Sequence, residues 1–182
     1  MILLARHGET DDNIEPIRIQ GSTDTPLNKR GRSQAQELAQ RVAEEAVPVA
    51  VIYTSQLSRA RETAEIVGAR VGLEPIVDAR LAEGDRGELE GRLWEEVARD
   101  DPETYAAWRA AGAEFRFPGG ESLAEQQERV VAALVDITQA GRLPALVVCH
   151  GGSIRVARCH THKAGLDVFH DWDVANVALV RL

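Results

Sequence analysis

Four short apolar runs, separated by longer stretches of mixed character, predict buried β-strands. They are residues 1–5, 49–54, 144–149 and 177–182, which read MILLA, VAVIYT, PALVVC and VALVRL. Short apolar runs that are bounded by turn residues and rich in branched side chains are typical of strands covered on both faces. None approaches the roughly 18 uninterrupted apolar residues of a membrane-spanning helix, so we expect no interaction with a membrane core.

The stretches between these runs carry the periodicity of amphipathic helices. Three such helices are predicted, over residues 29–46, 58–71 and 122–140. The third begins with Ser122 and Glu125 at the spacing of a capping box, which is a helix start signal. Strands alternating with helices predict an α/β fold, a three-layer α/β/α sandwich with a mostly parallel central sheet. Ligands of such folds bind beyond the carboxyl ends of the strands.

Length, charge and cysteine content narrow the class of protein. A chain of 182 residues, 44% hydrophobic and 27% charged, predicts one globular domain over residues 1–182. The net charge of −8 argues against nucleic acid or an anionic membrane as the main partner. Two cysteines, and no basic segment before the first apolar run, indicate the cytoplasm. The sequence leaves a homodimer open.

Two histidines follow predicted strands, and each is itself followed by glycine. His7 comes after the first strand, next to Arg6, and His150 comes after the third. Because parallel strands end at one edge of a sheet, we expect both imidazoles at that edge, with Arg59 from the segment after the second strand. The planar, permanently charged fork of arginine suits phosphate, so this edge is a candidate site for a phosphoryl group.

Two other chemistries fit shorter stretches of the chain. Cys149 and Arg155 have the C-x5-R spacing that resembles the phosphate loop of cysteine-dependent phosphatases. Cys149 ends an apolar strand, however, where burial raises the pKa of a thiol and keeps it unreactive. The sequence CHTH at 159–162 contains metal-ligand types, but its spacing matches no zinc pattern, so no metal site is expected. Arg61 and Arg155 are expected on the surface or behind the ligand-contacting residues.

Six ordered blocks together resemble a known family. They read RHGET (6–10), QGSTDTPLNKRGRSQA (20–35), TSQLSRARETA (54–64), LAEGDRGELEG (81–91), PGGES (118–122) and VVCHGGSIR (147–155). In content and order they are similar to the histidine phosphatases, also called the phosphoglycerate mutase-like superfamily. Asn28 stands where that family has threonine, and either residue is a good helix N-cap. Asp12 stands where an aromatic residue is common.

The resemblance implies a site that transfers a phosphoryl group through a histidine. The implied catalytic residues are His7, Glu83, His150, Arg6 and Arg59, and the implied phosphate-binding residues are Arg6, Asn13, Arg59, His150 and Gly151. His7 would attack phosphorus, with its other ring nitrogen donating to a backbone carbonyl at Gly8. Glu83 would be protonated, deliver that proton to the leaving alkoxide, and then accept one from the attacking water. His150 would be protonated.

The implied activity is metal-independent hydrolysis of small phosphate monoesters, with no cofactor. A phosphoglycerate mutase-type transfer is the alternative within the family, but it is expected to need insertions longer than this chain allows. A phospho-ligand-binding module without turnover is the alternative outside enzymes, and it should have lost His7 or Glu83.

A cap-like insertion is predicted at about residues 92–121. The segment from Leu93 to Pro118 holds five of the eight aromatic residues of the chain. Trp94 and Trp108 either contact the ligand or form the packing core of two short helices, and the sequence favours neither role.

Overall fold

A computed structural model describes residues 1–110 and 112–182 and alternates strands with helices as expected. The strands are β1 (Ile2–Arg6), β2 (Val51–Thr54), β3 (Ile76–Val77), β4 (Ala145–Cys149) and β5 (Leu179–Arg181). The helices are α1 (Lys29–Ala43), α2 (Ser58–Val71), α3 (Trp94–Asp100), α4 (Pro102–Ala110), α5 (Leu123–Gln139) and α6 (Gly151–Thr161). Short 3-10 turns cover Asp11–Asn13, Ala79–Leu81, Gly87–Leu89 and Leu166–Asp171.

The five strands form one sheet in the order β3-β2-β4-β1-β5. Strands β1, β2, β3 and β4 pair in parallel, and β5 runs antiparallel along β1. Ala145 lies opposite both Ile2 and Val51, and Arg6 lies opposite Cys149, so the strands are closely in register. The carboxyl ends of β1, β2 and β4 therefore meet at one edge, as predicted.

Side-chain alternation divides the core between the two faces of the sheet. Leu3 and Ala5 of β1 belong to a buried cluster with Leu38 of α1 and residues of α2. Ile2 and Leu4, one position out of phase, belong to a second cluster with Ile154 of α6 and residues of α5. Because a strand has a period of two, one apolar run supplies both cores. The three-layer α/β/α sandwich is confirmed.

The predicted elements differ from the observed ones mainly at their ends. Helix α1 ends at Ala43 rather than 46, with Glu44 as its C-cap. Asn28 caps α1 by accepting a hydrogen bond from the Gly31 amide at 2.8 Å. The capping box of α5 is present, and the Glu125 amide donates to Ser122 Oγ at 3.1 Å. Strand β3 has only two residues, too short a run to be recognised in the sequence.

Helices α3 and α4 bring an aromatic cluster against the sheet edge. The rings of Trp94 and Trp108 are stacked, with centroids 5.4 Å apart, and Trp108 also contacts Phe115 and Phe117. Trp108 is buried and belongs to the core cluster that also includes residues of β4 and α6. Among the described residues, every helix is too short or too polar to traverse a lipid bilayer.

Candidate active site

The sheet edge brings the predicted histidines and arginines together. Arg6 is the last residue of β1, His150 lies between β4 and α6, and Arg59 lies in the first turn of α2. The ring centroids of His7 and His150 are 5.2 Å apart. Arg59 and His150 are fully buried, which is costly for polar side chains unless they have partners. Their convergence makes this edge the candidate active site.

His7 is held in the form that a nucleophile requires. Its Nδ1–H donates to the Gly8 carbonyl at 2.6 Å, and since a carbonyl can only accept, Nε2 carries the lone pair. Burial lowers the pKa of His7 well below its ordinary value, and the charges of Arg6 and Arg59 lower it further. The turn depends on Gly8, because a Cβ there would lie 2.3 Å from the Gly31 carbonyl oxygen. The predicted Gly8 contact is present.

Four buried nitrogens around His7 lack hydrogen-bond partners among the described residues. They are Nε of Arg6, Nε of Arg59, and both ring nitrogens of His150. The Nη1 groups of the two arginines donate to the carbonyls of Val174 and Thr23, each at 2.7 Å, which fixes both guanidinium planes. Buried polar groups almost always have partners, so such a cluster indicates the position of a ligand with several acceptor oxygens.

His150, like His7, is a neutral imidazole in the structure. Burial lowers the pKa of His150 well below its ordinary value, and Arg59 lowers it further, so this imidazole is neutral in the structure. Burial and cationic neighbours outweigh the one nearby carboxylate, and the expectation of a protonated His150, which concerned a site holding a phosphoryl group, stays a prediction. A phosphate dianion placed against the ring would favour the protonated form.

Glu83 is fixed by four donors. Its Oε1 accepts from the Gly84 amide at 2.9 Å, Gln126 Nε2 at 2.9 Å and Arg86 Nη2 at 3.1 Å, and its Oε2 accepts from the Gly152 amide at 2.9 Å. Burial alone would raise the pKa of Glu83, but Arg86 and the amide donors outweigh it and hold the pKa well below its usual range. Glu83 is therefore a carboxylate in the structure, and its protonation in the first step, with substrate bound, stays a prediction.

Three residues that support Glu83 were missed by the sequence reasoning. Arg86 is 7% exposed, and its guanidinium carbon lies 4.5 Å from the centroid of the Phe117 ring. Gln126 of α5 is fully buried. The Gly152 amide is free to donate to Glu83 because it lies in the first turn of α6. This helix was not recognised in the sequence because it begins with two glycines. The only signal was the three-residue spacing from Glu83 to Arg86.

Asn13 and Gly151 lie beside the same groups. Asn13 Oδ1 accepts from the Thr10 amide at 3.2 Å and from Asn176 Nδ2 at 3.1 Å, so its side chain is part of a local network. Gly151 is the first residue of α6, and a Cβ there would lie 3.6 Å from Arg6 Nε. Both residues line the cavity at this edge of the sheet.

The cavity has a volume of about 490 Å³. Its wall combines Arg6 and Glu83 with the aromatic rings of Trp94, Tyr105 and Trp108. Trp108 belongs to the buried core and also lines the cavity, so packing is established for this ring and contact with a ligand stays a prediction.

Arg155, expected on the surface or behind the contacting residues, also lines the cavity, because it lies one turn into α6. Arg61 is exposed, which is one of the two positions expected for it, and its Nε lies 3.6 Å from Glu65 Oε1. The two arginines therefore differ in position although both follow a strand.

The other two chemistries find less support in the geometry. Cys149 is 1% exposed, and burial raises the pKa of its thiol to about 12, so it stays protonated. In the CHTH stretch, Cys159 is buried while His160 and His162 are exposed, because successive residues of α6 point in different directions. These three side chains do not converge on a common point.

Comparison with known families agrees with the geometry. A family model described as the histidine phosphatase superfamily, branch 1, matches residues 2–182. The chain belongs to the histidine phosphatase superfamily.

Relatives within the superfamily carry both mutase-like and phosphatase names. The chain is 40% identical over 157 residues to phosphoglycerate mutase-like protein 4 of Arabidopsis thaliana, covering 85% of this chain and 67% of that protein. It is 37% identical to a metal-independent phosphoserine phosphatase of the same plant, covering 85% and 65%. The chain thus spans about two thirds of the length of these relatives. A mycobacterial glucosyl-3-phosphoglycerate phosphatase has a similar structure, with a TM-score of 0.89, 29% identity, and coverage of 98% and 88%.

Proposed function

We propose that this protein is a metal-independent phosphatase that hydrolyses small phosphate monoesters through a phosphohistidine at His7. The observation that carries the proposal is the group of unpartnered buried nitrogens of Arg6, Arg59 and His150 beside His7. Phosphoryl transfer requires positive charge and donors around three equatorial oxygens, and little other chemistry from the protein. These nitrogens provide such donors next to an imidazole whose Nε2 carries a lone pair.

In the first half-reaction, His7 Nε2 would attack phosphorus, forming an N–P bond as the ester P–O bond breaks. Arg6, Arg59 and His150 would hold the transferred oxygens, with Asn13 and the Gly151 amide as additional donors. The leaving alkoxide would take its proton from Glu83. Glu83 is ionised beside Arg86, so it has to gain a proton when the substrate arrives. The negative charge of a monoester favours that change.

In the second half-reaction, water would attack the phosphohistidine in line with the N–P bond. Glu83, now a carboxylate, would accept a proton from that water. The N–P bond would break, inorganic phosphate would leave, and His7 would return to its neutral form. The same carboxylate thus serves as acid and then as base.

The covalent intermediate provides the test. The protein is incubated with p-nitrophenyl phosphate and EDTA, quenched during turnover at neutral pH, and digested with trypsin under conditions that preserve phosphoramidates. We expect the phosphoryl group on the peptide of residues 7–18, and no intermediate in His7→Ala. A phosphoryl group on the peptide of residues 143–155, or turnover that requires an added divalent ion, would contradict the proposal.

A mutase-type reaction is the second candidate, supported by the name of the 40% identical plant relative. The two reactions diverge after phosphohistidine forms, because a mutase returns the group to a reoriented intermediate whereas a phosphatase passes it to water. Incubation with 3-phosphoglycerate separates them. We expect inorganic phosphate as the product, and accumulation of 2-phosphoglycerate without phosphate release would establish the mutase.

A further inference from the structure

Three additional arginines line the active-site cavity. Arg18 belongs to the loop between β1 and α1, Arg109 to the last turn of α4, and Arg155 to α6. They come from separate parts of the chain, so their convergence results from the fold rather than from a local run of basic residues. A cavity of about 490 Å³ is much larger than one phosphate group requires, which leaves room for the leaving group.

These arginines lack carboxylate partners. Within residues 1–110 and 112–182, no ion pair involves Arg18, Arg109 or Arg155. Glu83 is the only carboxylate among the described residues that line the cavity, and its Oε1 lies 3.1 Å from Arg86. The local excess of positive charge occurs in a protein of net charge −8. A random distribution of the charges of this protein would favour a cavity with an excess of negative charge.

Arg155 is held with its terminal nitrogens available. Its Nε donates to the Trp172 carbonyl at 2.8 Å, and its guanidinium carbon lies 5.4 Å from the centroid of the Phe169 ring. Burial, followed by the charges of Arg86 and Arg109, lowers the pKa of Arg155, while Glu83 and Asp173 act in the opposite sense. Arginine stays charged nonetheless, so the protein maintains a half-buried cation without a direct ion-pair partner beside the reaction centre.

We propose that the leaving group of the substrate carries a second anionic group, a carboxylate or a phosphate, and that Arg155 and Arg109 bind it, with Arg18 at the edge of the cavity. The inference rests on the proposed phosphatase function. Arg6 and Arg59 serve the transferred phosphoryl group, and within residues 1–110 and 112–182 the three further arginines form no ion pair. Charge-assisted hydrogen bonds to a second anion would satisfy them.

Matched esters test this subsite. Glycerol 3-phosphate and 3-phosphoglycerate share a three-carbon skeleton and differ by a carboxylate, and fructose 6-phosphate and fructose 1,6-bisphosphate differ by a phosphate. We expect kcat/KM to be about tenfold or more higher for the more anionic member of at least one pair. The pair that shows the preference identifies the second group. Arg155→Gln and Arg109→Gln should each reduce that ratio about tenfold, whereas Arg61→Gln, an exposed arginine outside the cavity, should not change it.

A binding assay separates this inference from the function on which it rests. In His7→Ala, the fluorescence of Trp94 and Trp108 reports binding of the same esters without turnover. If the unaltered protein hydrolyses no ester, but His7→Ala binds the more anionic esters preferentially and this preference depends on Arg109, the phosphatase proposal fails and the subsite stands. If the unaltered protein hydrolyses the esters and the kcat/KM ratio lies near one for both pairs, the subsite is refuted. It is also refuted if Arg155→Gln and Arg109→Gln leave a preference intact. Arg109 is exposed, so its variant is informative even if Arg155→Gln does not fold.

Discussion

Replacing Gly152 with alanine should disable the proposed acid without removing any phosphate-binding side chain. A Cβ at position 152 would lie 2.2 Å from Glu83 Oε1 and 2.6 Å from Arg86 Nη2. Neither distance is tolerated, so the carboxylate must retreat by about 1 Å to reach ordinary van der Waals contact. The retreat also breaks the 2.9 Å hydrogen bond from the Gly152 amide to Glu83 Oε2.

The size of the effect follows from the role of Glu83. A positioned general acid contributes about 10²- to 10⁴-fold to a rate, which is about 3–5 kcal/mol of activation free energy. Misplacement of a reacting group by about 1 Å is enough to cost about 10²-fold. We therefore expect Gly152→Ala to lower kcat for an alkyl phosphate about 100-fold. For p-nitrophenyl phosphate, whose leaving group hardly needs a proton, the loss should stay below about tenfold.

The assay compares initial rates on glycerol 3-phosphate and p-nitrophenyl phosphate for Gly152→Ala, Glu83→Gln and the double variant. If both single changes act through the same carboxylate, their losses should not add in the double variant. Gly112→Ala is the matched control, because a Cβ at position 112 has nothing within 4 Å. Thermal unfolding and vanadate binding establish that each variant is folded with its phosphate site in place.

Two results would refute this reasoning. Equal losses on both esters would mean that the alanine disturbs the phosphate-binding groups rather than the acid. Additive losses in the double variant would mean that Gly152 and Glu83 act independently. Either outcome would show that Gly152 does not act through the Glu83 carboxylate, even if the protein remained an active phosphatase.

Other perturbations have equally definite outcomes. Cys149→Ser should retain most turnover of p-nitrophenyl phosphate, because burial keeps the thiol protonated, with a pKa of about 12; loss of turnover would favour a cysteine mechanism. Trp94→Phe or Trp108→Phe should reorder kcat/KM across esters, whereas a change in Tm alone would assign these rings to packing only. The free energy of unfolding, measured in urea, should fall as pH drops below about 6.5, since His7 and His150 have lowered pKa values only when folded and the unfolded state takes up more protons. His150→Gln should weaken that pH dependence, and an unchanged slope would contradict the assigned neutral state.

The position of the candidate site was predictable because it depends on simple rules. The apolar runs predicted parallel strands, and the residues that follow parallel strands lie at the same edge of the sheet. His7, His150 and Arg59 each follow a strand, so their convergence required no knowledge of side-chain packing. The hydrogen bond from His7 to Gly8 was predictable for a similar reason, since it is local and depends on one turn.

The charge states were not predictable because they depend on contacts between distant segments. Glu83 is ionised owing to Arg86, which is close in sequence, but also to Gln126 and the Gly152 amide, which are supplied by α5 and α6. The neutral form of His150 likewise depends on how deeply β4 and α6 bury it. Arg155 follows a strand as Arg61 does, and only the direction in which each helix presents it separates a cavity residue from a surface residue.

The same charge distribution explains how substrate binding could prepare the acid. Burial, together with the arginines around His7 and His150, keeps both imidazoles neutral, and Arg86 keeps Glu83 ionised. A bound phosphate dianion has the opposite effect on His150 and on Glu83. Its charge offsets the arginines beside the imidazole and repels the carboxylate. Protonation of Glu83 and of His150 is then favoured only when a phosphate ester is bound. The proton that the leaving group requires would therefore be taken up together with the substrate, and the Gly8 carbonyl would hold the single proton of a neutral His7 on Nδ1, which leaves Nε2 as the attacking nitrogen.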